Sequence, residues 1–176
     1  VSSYDQADAL LDGPFGQSLL ARLPEKGLVS LGYWDLGFRN VTNSRRPITR
    51  VEDFDGLKLR VIPNPVFLET FKALKANPIP MPFAELYGAL DGQENPFAVI
   101  LSNKFFEVQK YVTATNHVYA ANILLVSKKF WDKLSPTEQR ILHEAANESR
   151  SYQRTTSRAA AQRAVAARAH DDHVEL

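Results

Sequence analysis

No cysteine occurs in the 176 residues. Disulfides, thiolate metal sites and cysteine catalysis are therefore excluded. The absence is compatible with an oxidising compartment, where a free thiol is a liability. A dominant charge is also lacking: 21 Lys and Arg stand against 20 Asp and Glu. Nothing advertises nucleic acid or electrostatic attraction to a membrane. No apolar run approaches the length that spans a bilayer. The opening VSSYDQADALL is amphipathic and acidic, unlike a signal peptide. Either the protein is not exported or a leader lies outside this chain. A glycine-rich phosphate loop and a nucleophile elbow are missing, as are internal repeats.

What is present is a hydrophobic content of 44%, enough for a core, and an alternation of helical and strand patterns. Residues 5–23 carry helical spacing broken at Asp12-Gly13-Pro14, which predicts two short helices. LVSLGYW (28–34) predicts a strand, followed by a loop through the polar run 39–50. LKLRVI (57–62) is a second strand. Asn64 and Pro65 then suit the N-cap and first position of a helix. NPIPMP (77–82) reads as extended, and FAELYGAL (83–90) as a short helix. Asn95-Pro96 repeats the Asn-Pro grammar, so Asn95 is expected to cap a helix continuing through FFEVQKY. VTATNH and NILLVS are two β-rich segments, and KKFWDKL is a short helix. Ser135-Pro136-Thr137-Glu138 forms a capping box that opens a long helix to about Ala169. The fold class is α/β.

Several residues could carry function. Arg60 sits near the C-terminal end of a strand and just before a helix N-terminus, where ligands and anions bind in α/β sheets. Its planar fork matches a carboxylate; taken alone, a surface arginine is the blander account. Arg39 follows the aromatic pair Tyr33-Trp34 and either rims a pocket or lies on a solvated loop. Glu94 and Asn95 either perform chemistry or hold backbone, and a capping amide can do both. His117 alone suits a structural role. His170 and His173 have one-turn spacing but read as a solvated tail, so no metal site is expected. The stripe Arg150, Arg154, Arg158, continued by Arg163 and Arg168, reads as a solvated helix face.

GFRNVTNSRRPI, GLKLRV, ALKANPIPMPFAELYGAL, DGQENP, FFEVQKYVTATNHVY and LLVSKKFWDKLSP occur in that order. Together they resemble the DctP-type substrate-binding proteins of tripartite ATP-independent periplasmic (TRAP) transporters, from about residue 4 to about residue 158. The resemblance implies a two-lobed, periplasmic-binding-protein-like α/β fold with a long hinge-spanning helix. It implies that Arg60 is the principal carboxylate clamp and Arg39 a second basic contact. Asn95 would bind the same carboxylate region, Phe83 would pack on the ligand and His117 would line the pocket. Gln93 and Glu94 would brace the turn and hinge. Residues 1–34 would be a remnant of the first lobe, 35–134 mainly the second lobe with crossover strands, and 135–176 the hinge helix and tail. Family members are longer, so an N-terminal part of the first lobe and a C-terminal segment would lie outside this chain. A few residues usual before DGQENP are also absent. The implied function is a periplasmic receptor, made as a precursor with a signal peptide. It binds an organic acid and delivers it to the transporter's membrane subunits, without cofactor, nucleic acid or turnover. Two alternatives from other classes stand beside it: an α/β enzyme using Glu94 or His117 as acid or base, and a helical partner-binding module.

Overall fold

In a computed structural model of the protein, residues 1–88 and 91–169 are described. The chain forms α1 (Tyr4–Asp12), α2 (Pro14–Leu20), β1 (Leu28–Asn43), β2 (Lys58–Val61), α3 (Pro65–Ala73), β3 (Asn77–Pro80), β4 (Gly92–Pro96), α4 (Phe97–Ser102), β5 (Tyr111–Ser127), α5 (Lys128–Trp131) and α6 (Pro136–Ala169). The strands form one sheet in the order β3-β2-β4-β1-β5. The α/β expectation holds. The chain gathers into two compact units, Val1–Gly37 with Tyr119–Ala160 and Phe38–Val118 with Ala161–Leu176.

In the second unit, β2 pairs in parallel with both β3 and β4, while β4 runs antiparallel to β1. Its core gathers Val41, Ile48, Phe54, Leu57, Leu59, Val61, Phe71 and Ala76. Asn64 caps α3 as expected, its side chain accepting from the Val66 N–H at 2.8 Å, with Pro65 at the first helical position. That cap fixes where α3 starts, and α3 then lays Phe71 into the core.

The first unit packs α1 and α6 through charge. Arg150, Arg154 and Arg158 are not a solvated face, whereas Arg163 is exposed. Arg154 donates to both carboxylate oxygens of Asp12 (2.6 and 3.0 Å) and to the Tyr33 carbonyl. Arg150 also reaches Asp12, Arg158 reaches Asp8 at 2.7 Å, and the Arg158 guanidinium lies 4.4 Å from the Tyr4 ring centre. Two acids one turn apart on α1 therefore meet three arginines one turn apart on α6. The stripe looked solvated because its partners lie over a hundred residues away in sequence. Tyr119 donates to the buried Asp35 at 2.6 Å, and burial with that bond pushes its hydroxyl up. Gln153 of α6 accepts from the Asp35 N–H (2.8 Å) and donates to the Asp35 carbonyl (2.7 Å). The capping box at the start of α6 is present, with Glu138 accepting from the Ser135 main chain and hydroxyl.

Four expectations need correction. Residues 39–43 are not loop; β1 runs on to Asn43. Its last residues are polar, yet Asn40, Thr42 and Asn43 are fully buried, because this strand lies between two others and most of its polar side-chain groups find partners, the Asn43 amide nitrogen excepted. Asn95 does not cap α4. It lies in β4, where its position before Pro96 favours extended backbone, and α4 begins at Phe97 without a side-chain cap. That helix ends at Ser102, and Lys104 turns into the left-handed region (φ 53°), so no helix continues through FFEVQKY. The two β-rich segments are one strand, β5, and residues 83–88 form a 3₁₀ turn rather than an α-helix. His170 and His173 lie outside the described residues.

Candidate anion-binding site

Sheet register assembles the site within the second unit. Glu94 of β4 stands opposite Val41 of β1, and Pro96 opposite Arg39. Glu94 and Arg39 are thus diagonal neighbours on one sheet face, within reach of long side chains. Arg39 grips Glu94 side-on: its Nε donates to Oε2 and its Nη2 to Oε1 at 2.8 Å. The same Nη2 reaches the Glu94 carbonyl (2.7 Å) and Asn95 Oδ1 (3.1 Å). Gln93, opposite Thr42, donates to its hydroxyl at 2.7 Å and accepts from the Asn95 amide at 2.5 Å. Gly92 packs tightly beside these residues: a Cβ there would sit 3.0 Å from the Leu59 side chain and 3.1 Å from the Thr42 carbonyl.

His117 arrives from β5. Asn116 adopts a left-handed backbone (φ 44°), tolerable for asparagine, and its N–H bonds to Asn40 Oδ1 at 2.9 Å. This presents His117 Nε2 to Glu94 Oε2 at 3.3 Å, while Nδ1 meets the Thr115 hydroxyl at 2.8 Å. Two aromatics of α3 cover the cluster. Phe67 lies 5.4 Å from the Arg39 guanidinium, and Phe71 meets His117 edge-on at 5.2 Å.

Arg60 differs from Arg39. It stands opposite Gln93 on β2, only 3% exposed. Its Nε donates to the Met81 carbonyl at 2.8 Å, and among the described residues neither Nη group has a partner. Burial pulls its guanidinium below the ordinary range; the charge of Glu94 opposes this and that of Arg39 adds to it. Two arginines and one carboxylate therefore occupy this buried region, leaving one positive charge uncompensated. A buried charge without a counter-charge is costly, so the arrangement attracts an anion. The free Nη edge is a planar pair of donors matching a carboxylate.

Residues 1–176 match the family described as bacterial extracellular solute-binding protein, family 7 (DctP). The chain belongs to that family. It is 46% identical over 153 residues to the 2,3-diketo-L-gulonate-binding periplasmic protein YiaO of Escherichia coli, covering 84% of this chain and 47% of that one. It is similar to the sugar acid binding protein of Advenella mimigardefordensis solved in complex with galactonate. That match has a TM-score of 0.93 and 47% identity, over 98% of this chain and 57% of the other. It is also similar to a TRAP periplasmic solute binding protein from Polaromonas bound to D-erythronate, with a TM-score of 0.92, 38% identity, and 98% and 58% coverage. The chain thus spans about half the length of the curated relatives it matches.

Among the residues singled out from this DctP-family sequence, Arg39 and His117 meet at Glu94, Asn95 joins them through Arg39, and Arg60 shares their electrostatic field. Phe83 is not joined to them by any contact described; it is 46% exposed and packs edge-on against Phe105 at 6.0 Å. Reading the sequence assigned Glu94 and Gln93 to bracing a turn. It missed that Glu94 is the fully buried hub, that Thr42 and Thr115 hold its neighbours, and that Phe67 and Phe71 lie against Arg39 and His117. The i, i+4 spacing of those two phenylalanines was the signal available.

Proposed function

We propose that this chain supplies part of a periplasmic receptor that binds an organic acid of the hydroxylated sugar-acid kind and delivers it unchanged to the membrane subunits of a TRAP-type transporter. One observation carries the reading: a buried arginine, Arg60, whose Nε is tied down and whose two Nη groups have no partner among the described residues. A guanidinium held in that way is pre-oriented for a two-point contact with a carboxylate. Asn95 supports it with a second amide N–H beyond the one given to Gln93, and Arg39 with its Nη1. Phe83 offers an exposed aromatic face for a sugar-acid chain. His117 acts through Glu94. The acids named for the three relatives above, 2,3-diketo-L-gulonate, galactonate and D-erythronate, share one carboxylate on a polar carbon chain.

The test is calorimetric titration of the intact protein with those three acids, followed by mass spectrometry of the recovered ligand. The expected result is saturable binding of at least one acid and its recovery without chemical change. Failure of all three to bind, or their conversion to product, overturns the proposal.

A further inference from the structure

Glu94 is a fully buried carboxylate at the centre of the site, engaged by two residues. Arg39 holds both its carboxylate oxygens, Arg39 also holds its main-chain carbonyl, and His117 reaches Oε2. Most of the Arg39 fork is consumed in this way, so one of the two guanidinium charges is cancelled in place. Arg60 keeps the other. Phe67 lies against Arg39 and Phe71 against His117, and Glu94, Arg39 and Arg60 are all buried, which lengthens the reach of each charge. On the reading of the site as a carboxylate receptor, we infer that Glu94 is a specificity-determining residue. By neutralising and orienting Arg39, it leaves the described part of the site with one free positive charge, which favours a singly charged acid over a dianion of the same skeleton.

The bland account is that Glu94 only ties β4 to β1. The two accounts differ in what they do to selectivity. A brace lost from a sheet weakens every ligand alike. A charge lost from the site changes the ratio between ligands of different charge. Replacing Glu94 by glutamine preserves its size and part of its hydrogen bonding but releases the Arg39 charge. Replacing Arg39 by glutamine does the opposite and leaves Glu94 to cancel Arg60.

The experiment titrates the intact protein and the variants Glu94→Gln, Arg39→Gln and the double variant with galactonate and galactarate, the same carbon skeleton bearing one and two carboxylates. Thermal melting checks that each variant is folded. The parent is expected to prefer galactonate. Glu94→Gln should raise the galactarate-to-galactonate affinity ratio at least about tenfold, the scale of an added unit charge several Å away at an effective dielectric near 20. Arg39→Gln should lower that ratio, and the double variant should return it to the parent's value. If one single variant fails to fold, the other and the double still test the sign. Unchanged ratios in folded variants overturn this inference alone, provided the parent binds galactonate. A parent that binds neither acid overturns the receptor reading and the inference with it.

Discussion

Arg39 and Arg60 are chemically identical and lie against the same carboxylate field, yet their surroundings assign them different work. Arg39 is closed by Glu94 and Asn95; Arg60 is anchored at Nε and open at its outer edge. Truncating an arginine that faces a ligand carboxylate leaves that carboxylate unpaired. Arg60→Ala should therefore cost about 2–5 kcal/mol of binding free energy, measured by titration with the acid that binds the parent. Arg60→Lys keeps the charge but lacks the planar fork, and should still lose a large part of that energy. A lysine variant that binds as tightly as the parent would show that Arg60 contributes charge without geometry. The position of Arg60 at the end of LKLRV, before a capped helix, was legible because every part of that signal is local. The closure of Arg39 was not. Its acceptors lie 55 and 56 residues further along, and only strand register brings them across.

At the level of elements, short-range grammar succeeded and long-range context decided the remainder. The Asn64-Pro65 junction predicted the start of α3, and Ser135-Pro136-Thr137-Glu138 the start of α6; both caps form. Asn64→Ala should destabilise the protein by about 1 kcal/mol, read by chemical denaturation, since it deprives the first turn of an acceptor. Asn95-Pro96 has the same grammar but sits in a strand. Its side chain is claimed by Arg39 and Gln93, and a local signal cannot register that competition. The end of β1 escaped detection for a related reason: a buried strand rich in asparagine and threonine imitates a loop. The α1–α6 contact has its own signature in acid. Burial alone would raise the Asp12 carboxyl, but the bonds and charges of Arg154 and Arg150 outweigh it and hold it below its ordinary value of 3.8. A depressed carboxyl contributes stability in full above its unfolded value and loses it as pH falls through the folded one. Asp12→Asn should thus be less stable than the parent at neutral pH. The parent's excess over it should begin to shrink as pH falls below about 3.8 and disappear only below the lower folded value, as followed by denaturation across pH.

For the whole molecule, three elements, β1, β5 and α6, each contribute residues to both compact units. The fold class was legible from the alternation of elements. If a sugar acid binds the native state alone, unfolding must work against it. At a hundredfold excess of ligand over Kd the native state gains about 2.7 kcal/mol, so the melting temperature should rise with galactonate concentration. The same titration on Arg60→Ala should show a much smaller rise. An equal rise in both proteins would place the stabilising contact elsewhere.

The carboxamide of Gln153 receives the Asp35 N–H and returns an N–H to the Asp35 carbonyl. In an antiparallel ladder, two facing residues exchange that same pair of bonds through their main chains. A helix side chain here takes the place of a neighbouring strand, so the site is already occupied when another copy approaches. Unpaired strand backbone invites association between chains. Gln153→Ala would leave the Asp35 N–H unpaired and its carbonyl with only the longer bond from the Ser157 hydroxyl (3.4 Å), loosening that rung. The expected outcome is a concentration-dependent rise in apparent mass by light scattering, with ligand affinity unchanged, as the receptor begins to polymerise through a seam that one amide keeps shut.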